Sequence, residues 1–107
     1  MTGCTTHQLP VLKRLPATLG ELSRELCLGV LIYRSRTKPT FTKLVVEFER
    51  RKLGTRSTVS KSLDLLFDQG MVTADWERHS DGRMARTLAI SHHVSEFFRG
   101  ISEHVNG

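Results

Sequence analysis

Residues 56–72 read RSTVSKSLDLLFDQGMV. Val59, Leu63, Leu66 and Phe67 recur at spacings of three and four, the period of one helix face. Gly70 follows where a helix in that register places its left-handed C′ residue. The pattern predicts a helix opened by Thr55 or Arg56 and running to about Gln69. Opposite its apolar stripe stand Arg56, Ser57, Thr58, Ser60 and Lys61, all in the first turns, while the acids Asp64 and Asp68 come later.

Upstream, Leu53-Gly54 reads as a helix stop and turn. Before it, Thr40 is the expected N-cap of a shorter helix to about Arg51, with Phe41, Leu44, Val45 and Phe48 on its core face. Pro39 separates that helix from an earlier one. Thr18 and Glu21 have the spacing of a capping box. They predict a first helix to about Ser35, striped by Leu19, Leu22, Leu26, Val30 and Tyr33 and widened by Cys27 and Leu31. Arg34 and Arg36 at its end suit the helix dipole. Residues 1–17 hold Pro10 and Pro16 and show no period, and read as an N-terminal arm.

Downstream of Gly70 the pattern changes. Met71, Val72, Ala74 and Trp76 are followed by His79-Ser80-Asp81-Gly82, and then by Met84, Leu88 and Ile90. The Asp-Gly pair is a tight-turn signal, so a β-hairpin is expected over Met71–Arg78 and Arg83–Ile90. Ser91 then caps an expected fourth helix to about Val105, with an apolar stripe of Val94, Phe97, Phe98, Ile101 and Val105. Three units follow: the arm, a domain over 18–90, and a C-terminal dimerisation helix over 91–107. The fourth-helix stripe is expected at an intersubunit interface, because the first helix already closes the core; packing back on its own domain is the alternative.

The charge pattern adds a direction. The 107-residue chain carries a net charge of +5. From Arg34 to Lys61, nine Lys and Arg stand against two acids, a local excess of seven in 28 residues. Such a run favours nucleic acid, an acidic membrane surface or an acidic partner.

The fold class expected is mainly α with a small β-hairpin (α+β). Three helices, a hairpin and a closing helix follow the order of a winged helix-turn-helix. An α-helix fits the major groove of B-DNA, about 12 Å wide. Short hydroxyls permit close approach, and Arg and Lys match guanine acceptors. The stretch RSTVSKSLDLLFDQGMV resembles the recognition-helix segment of MarR- and PadR-like winged helix transcription regulators, and the resemblance extends over about Glu21 to Ile90. It implies that Arg56, Ser57, Thr58, Ser60 and Lys61 face the groove. Arg78, Arg83 and Arg86 would be wing contacts, and Thr40, Thr42 and Lys43 would touch backbone phosphates. In this chain Gly54 lies five residues before Val59, where the family has six, and the long flanking helices that form the effector pocket of MarR relatives are not expected.

The function expected is therefore a sequence-specific regulator binding double-stranded DNA as a homodimer, with recognition helices one turn apart, about 34–36 Å. The alternative is a winged helix interaction module in a transcription or chromosome-associated complex. An enzyme is not expected: there is no P-loop, GxSxG, HExxH or CxxC, and the adjacent His79-Ser80-Asp81 cannot form a triad. His92, His93, Glu96, Glu103 and His104 do not predict a metal site, since consecutive histidines point different ways. No cofactor is expected, and the sequence specifies no small-molecule effector. The longest apolar stretch, Leu26–Tyr33, is too short to span a bilayer. With no secretory pattern and two widely spaced cysteines, a cytoplasmic, nucleoid-associated protein is expected.

Overall fold

The computed structural model describes residues 18–105, so the arm expected over 1–17 lies outside the described residues. The chain runs α1 (Arg24–Arg34), α2 (Phe41–Arg50), α3 (Arg56–Asp68), β1 (Val72–Arg78), β2 (Met84–Ile90) and α4 (Ser95–His104). This is the winged helix-turn-helix layout, with a helix added after the wing.

Local chemistry sets most boundaries. The Thr40 hydroxyl accepts the Lys43 N–H at 3.3 Å and caps α2. Helix α2 ends where Leu53 N–H reaches Phe48 O at 2.8 Å and Lys52 N–H reaches Glu49 O at 3.1 Å. These two bonds form a Schellman motif. Its left-handed residue is Lys52, at φ 59°, one turn position earlier than the stop expected at Leu53-Gly54. Helix α3 ends in the same motif, with Gly70 at φ 70° in the expected place. In the wing, Gly82 at φ 90° and Asp81, whose carboxylate accepts the Arg83 N–H at 3.0 Å, close the turn.

The hairpin pairs Val72 with Ile90 and Arg78 with Met84. An isolated bridge, Thr40 to Thr87, adds the start of α2 to its edge, and Leu88 N–H donates to Pro39 O at 2.9 Å. The wing is thereby fastened to α2 as well as to the end of α3.

The first helix starts later than the capping-box spacing implies. Thr18 opens only a 3-10 turn, Leu19–Glu21, and its side chain makes no capping bond. Leu22 is extended, and α1 begins at Arg24. The break lets both Leu19 and Leu22 enter the core. The Arg24 guanidinium takes up the freed carbonyls of Gly20 and Leu22 and also reaches Leu53 O. Cys27 donates its thiol proton to Leu19 O at 2.7 Å; burial pushes that thiol's pKa up.

The core is built around α1, whose Cys27, Leu28, Val30, Leu31 and Ile32 are buried. Against them lie Leu44 and Phe48 of α2, Val59, Leu63 and Leu66 of α3, and Val72 and Leu88 of the hairpin. Two residues expected at a dimer interface belong here too. Phe98 is fully buried and Val105 nearly so, within their own chain. Helix α4 is thus part of the domain rather than a separate dimerisation unit. The reason is a void that the apolar periodicity conceals. A Cβ on Gly29 would lie 2.2 Å from Phe98 Cε1, so the ring occupies the space that Gly29 leaves open on α1. Arg34 locks the arrangement by donating to Ser102 Oγ and to the carbonyls of Ser102 and Val105. Val94 and Ile101 are partly buried, and Phe97 remains 48% exposed. Ser91 does not cap a helix with its side chain; its hydroxyl donates to Gly70 O at 2.8 Å, and a 3-10 turn, His92–Val94, precedes α4.

Gly29→Ala is therefore expected to overpack the α1–α4 contact and destabilise the fold by at least about 1–3 kcal/mol. Much of that loss should be recovered in a Gly29→Ala/Phe98→Leu double variant. Urea unfolding of the two single variants and the double variant measures the coupling. Simple additivity would show that the ring and the glycine do not share this space.

Candidate nucleic-acid interface

Helix α3 is held by one side only. Val59, Ser62, Leu63 and Leu66 are buried, so the helix cannot rotate without exposing them. Arg56, Ser57, Ser60 and Lys61 are consequently exposed. Thr58, the fifth expected groove residue, is half-buried. Its hydroxyl accepts the Thr55 N–H at 3.3 Å, and its side chain folds over Gly54, where a Cβ would lie 2.7 Å away. That fold-back accounts for the short spacing from Gly54 to Val59: Thr58 closes the turn and starts the helix.

Charge pairing sorts the cations. Arg50 and Arg51 share Glu47, whose carboxyl is held below its ordinary range by hydrogen bonds first from Arg50 and then from Arg51. Arg99 joins Glu96 and Glu103, and its hydrogen bond lowers the Glu96 pKa. Lys38 bridges to Asp75 and Glu77. By contrast, among the described residues no carboxylate pairs with Arg56, Lys61, Arg78 or Arg86. Of these, Arg56 and Lys61 are the cations expected at the groove, and Arg78 and Arg86 are two of the three expected as wing contacts.

Two of them are fixed by aromatic rings. The Arg56 guanidinium lies 5.0 Å from the Phe41 ring centroid, and that of Arg86 lies 5.1 Å from the Phe67 centroid. A stacked guanidinium keeps its N–H edge free for phosphate or base acceptors. Arg56, Ser60 and Phe67 lie on one stripe of α3, at spacings of four and seven. The Phe67–Arg86 stack therefore joins that stripe to the wing.

The remaining expected contacts divide. Arg78 and Arg83 stand at the exposed wing end. Arg78 donates to Gly82 O, and Arg83 pairs with Asp81 at 2.9 Å, holding that carboxyl below its ordinary range through its backbone N–H and then its side chain. Both partners of this pair are solvent-exposed, so it is weakly held. Thr42 is exposed on the first turn of α2, whereas Thr40 is engaged in its cap. Lys43 lines a cleft with Leu31, Ser35, Glu47 and Arg51 between α1 and α2, away from the α3–wing junction. Asp64 and Asp68 are exposed on the same outward side as Ser57 and Lys61, which confines the basic part of α3 to its first two turns.

Sequence reasoning did not assign Phe41 and Phe67 as ring supports, nor Trp76 as a surface residue. The signal for Trp76 was present: the Asp81-Gly82 turn fixes the register, and alternation then puts Trp76, Arg78, Met84 and Arg86 on one side of the hairpin. Among the described residues, no group of three His, Cys, Asp or Glu side chains could hold a metal ion, and no helix is long and apolar enough to cross a membrane.

No protein-family model matches the chain, and no curated protein matches it. Among solved structures, the chain is similar to the crystal structure of the circadian clock-associated protein Pex from Anabaena. The match has a TM-score of 0.55 and 17% identity, over 96% of this chain and 90% of that one. A likeness at this identity shows the shared fold.

Thr58 and Ser57, adjacent hydroxyl residues, are expected to separate in a stability measurement. Thr58→Ala should cost about 1 kcal/mol through the lost cap, and Ser57→Ala less than about 0.5 kcal/mol. Equal costs in urea unfolding would show that Thr58 is not part of the helix start.

Proposed function

We propose that this protein is a sequence-specific regulator of transcription that binds double-stranded DNA. Helix α3 enters the major groove and the wing lies on the flanking backbone. The observation that carries the reading is the exposed, basic first two turns of α3, where, among the described residues, no carboxylate pairs with Arg56 or Lys61. Lys38, Arg50, Arg51, Arg83 and Arg99, by contrast, are matched by neighbouring acids. Here Arg56 and Lys61 are left to meet phosphate or guanine acceptors, beside the short hydroxyls of Ser57 and Ser60. The wording of residues 56–72 supports a MarR/PadR-like regulator in particular.

The protein acts by occupying a site, not by covalent chemistry. A homodimer is part of the proposal, with a smaller α4 surface than the sequence implied: Phe97 is its exposed apolar residue, flanked by Val94 and Ile101. Twofold symmetry would be mirrored in a palindromic site.

The test is selection of bound duplexes from a random pool, followed by mobility-shift titration on the winner. Lys61→Ala and Arg56→Ala should each weaken binding by about fivefold or more, as expected for a base or phosphate contact worth about 1–3 kcal/mol. Lys61→Ala should also reduce the log–log salt slope, by about 0.9 if it neutralises one phosphate. Arg50→Ala, which removes a cation already matched by Glu47, should leave affinity within about twofold. If all three variants bind alike, the α3 face has been wrongly assigned.

A further inference from the structure

The wing has two chemically different sides. Strand alternation and the pairing register put Trp76, Arg78, Met84 and Arg86 on one side, in line with the buried Val72 and Leu88 nearer the body. Asp75 and Glu77 project from the other side, where Lys38 meets them. The acids of the strands thus lie on one side, where Lys38 offsets them, and the strand arginines Arg78 and Arg86 on the other. The basic side is also the apolar one: Trp76 is 67% exposed and Met84 50% exposed. Both are large side chains that the domain's own core does not use. They sit diagonally across the two strands, flanked by Arg78 and Arg86.

The orientation of that side is fixed. Arg86 stacks on Phe67, and Phe67 shares its stripe of α3 with Ser60 and Arg56. The Trp76 side therefore continues the proposed reading surface of α3, while the acidic side faces away from it.

We propose that the Trp76–Met84 surface is a second contact to duplex DNA, seated against the sugar wall and minor groove beside the α3 site. This rests on the DNA-binding reading above and specifies which side of the wing makes the contact. An indole with a flanking thioether offers a flat apolar face to deoxyribose and groove floor, as apolar wedges do in other minor-groove contacts. Arg78 and Arg86 hold the phosphates on either side. Asp75 and Glu77, on the reverse, are kept clear of the polyanion. Charge complementarity selects DNA over an apolar protein partner.

Trp76 is the sole tryptophan of the chain, so emission excited where Tyr33 does not absorb reports this surface alone. The experiment titrates the full chain with the selected duplex. Anisotropy of a labelled duplex measures binding, and Trp76 emission with acrylamide quenching, using unlabelled duplex, measures contact. Emission should change in step with anisotropy, and bound DNA should shield Trp76 from acrylamide. Trp76→Ala should weaken binding by roughly thirtyfold or more, the scale of a buried aromatic anchor, with unchanged circular dichroism. Trp76→Phe should restore most of the loss.

Tight binding with unchanged Trp76 emission and quenching, and with an unaffected Trp76→Ala variant, would overturn this inference and leave the α3 reading standing. No anisotropy change at low salt for any duplex would overturn both. A dependence of Trp76 emission on protein concentration without DNA would assign the surface to a second copy instead, and equal competition by single-stranded DNA would overturn the duplex assignment.

Discussion

Val59, Leu63 and Leu66 are buried on one side of α3, against α1 and the hairpin, and they hold the helix at one rotation about its own axis. A turn of about 100°, one residue's worth, would bring Ser60 inside and push Val59 into water. Burying each of these side chains stabilises the fold by about 1.5–3 kcal/mol. The outward direction of Ser57 and Lys61 is thus enforced by apolar packing, which also sets the side from which Arg56 reaches the Phe41 ring. Other parts of the domain support the same constraint. The Thr55–Thr58 contact fixes where the helix starts, Gly70 fixes where it ends, and the wing is tied to its last turns through Ser91 and Arg86.

On that frame, the distribution of partners among the cations gives the surface its character. Exposed ion pairs such as Arg50–Glu47 and Arg99–Glu96 add little stability, but they cancel charge locally. Among the described residues, they are missing at Arg56 and Lys61 on the first turns of α3 and at Arg78 and Arg86 on the Trp76 side of the wing. Two phenylalanine rings take the place that carboxylates hold elsewhere, restraining Arg56 and Arg86 without neutralising them. A restrained guanidinium loses less freedom when it meets an anion, which favours binding.

Features with a local cause were legible in the sequence. The Thr40 cap, the Gly70 stop, the Asp81-Gly82 turn and the α3 stripe each depend on residues within a few positions of one another, and each stands where it was expected. Features decided across the fold were not. Thr18 and Glu21 have capping-box spacing, yet burying both Leu19 and Leu22 favours a break that their local pattern does not show. Lys52 takes a left-handed position that glycine usually fills, because Leu53 must turn inward. The fit of Phe98 into the gap at Gly29 joins positions 69 residues apart, and no periodicity announces it; the apolar α4 stripe therefore read as a surface awaiting a partner. Within the candidate interface, the sequence identified the cations but not which had already met a carboxylate.

The most direct measurement is amide chemical-shift mapping of the isotope-labelled protein against a selected DNA duplex. The account predicts that the largest perturbations fall on residues 56–61 and the outer halves of β1 and β2, while the amides of α4 and the α1–α2 cleft change little. Perturbations centred on α4 or on the Arg50–Lys52 turn, with residues 56–61 silent at saturation, would contradict it.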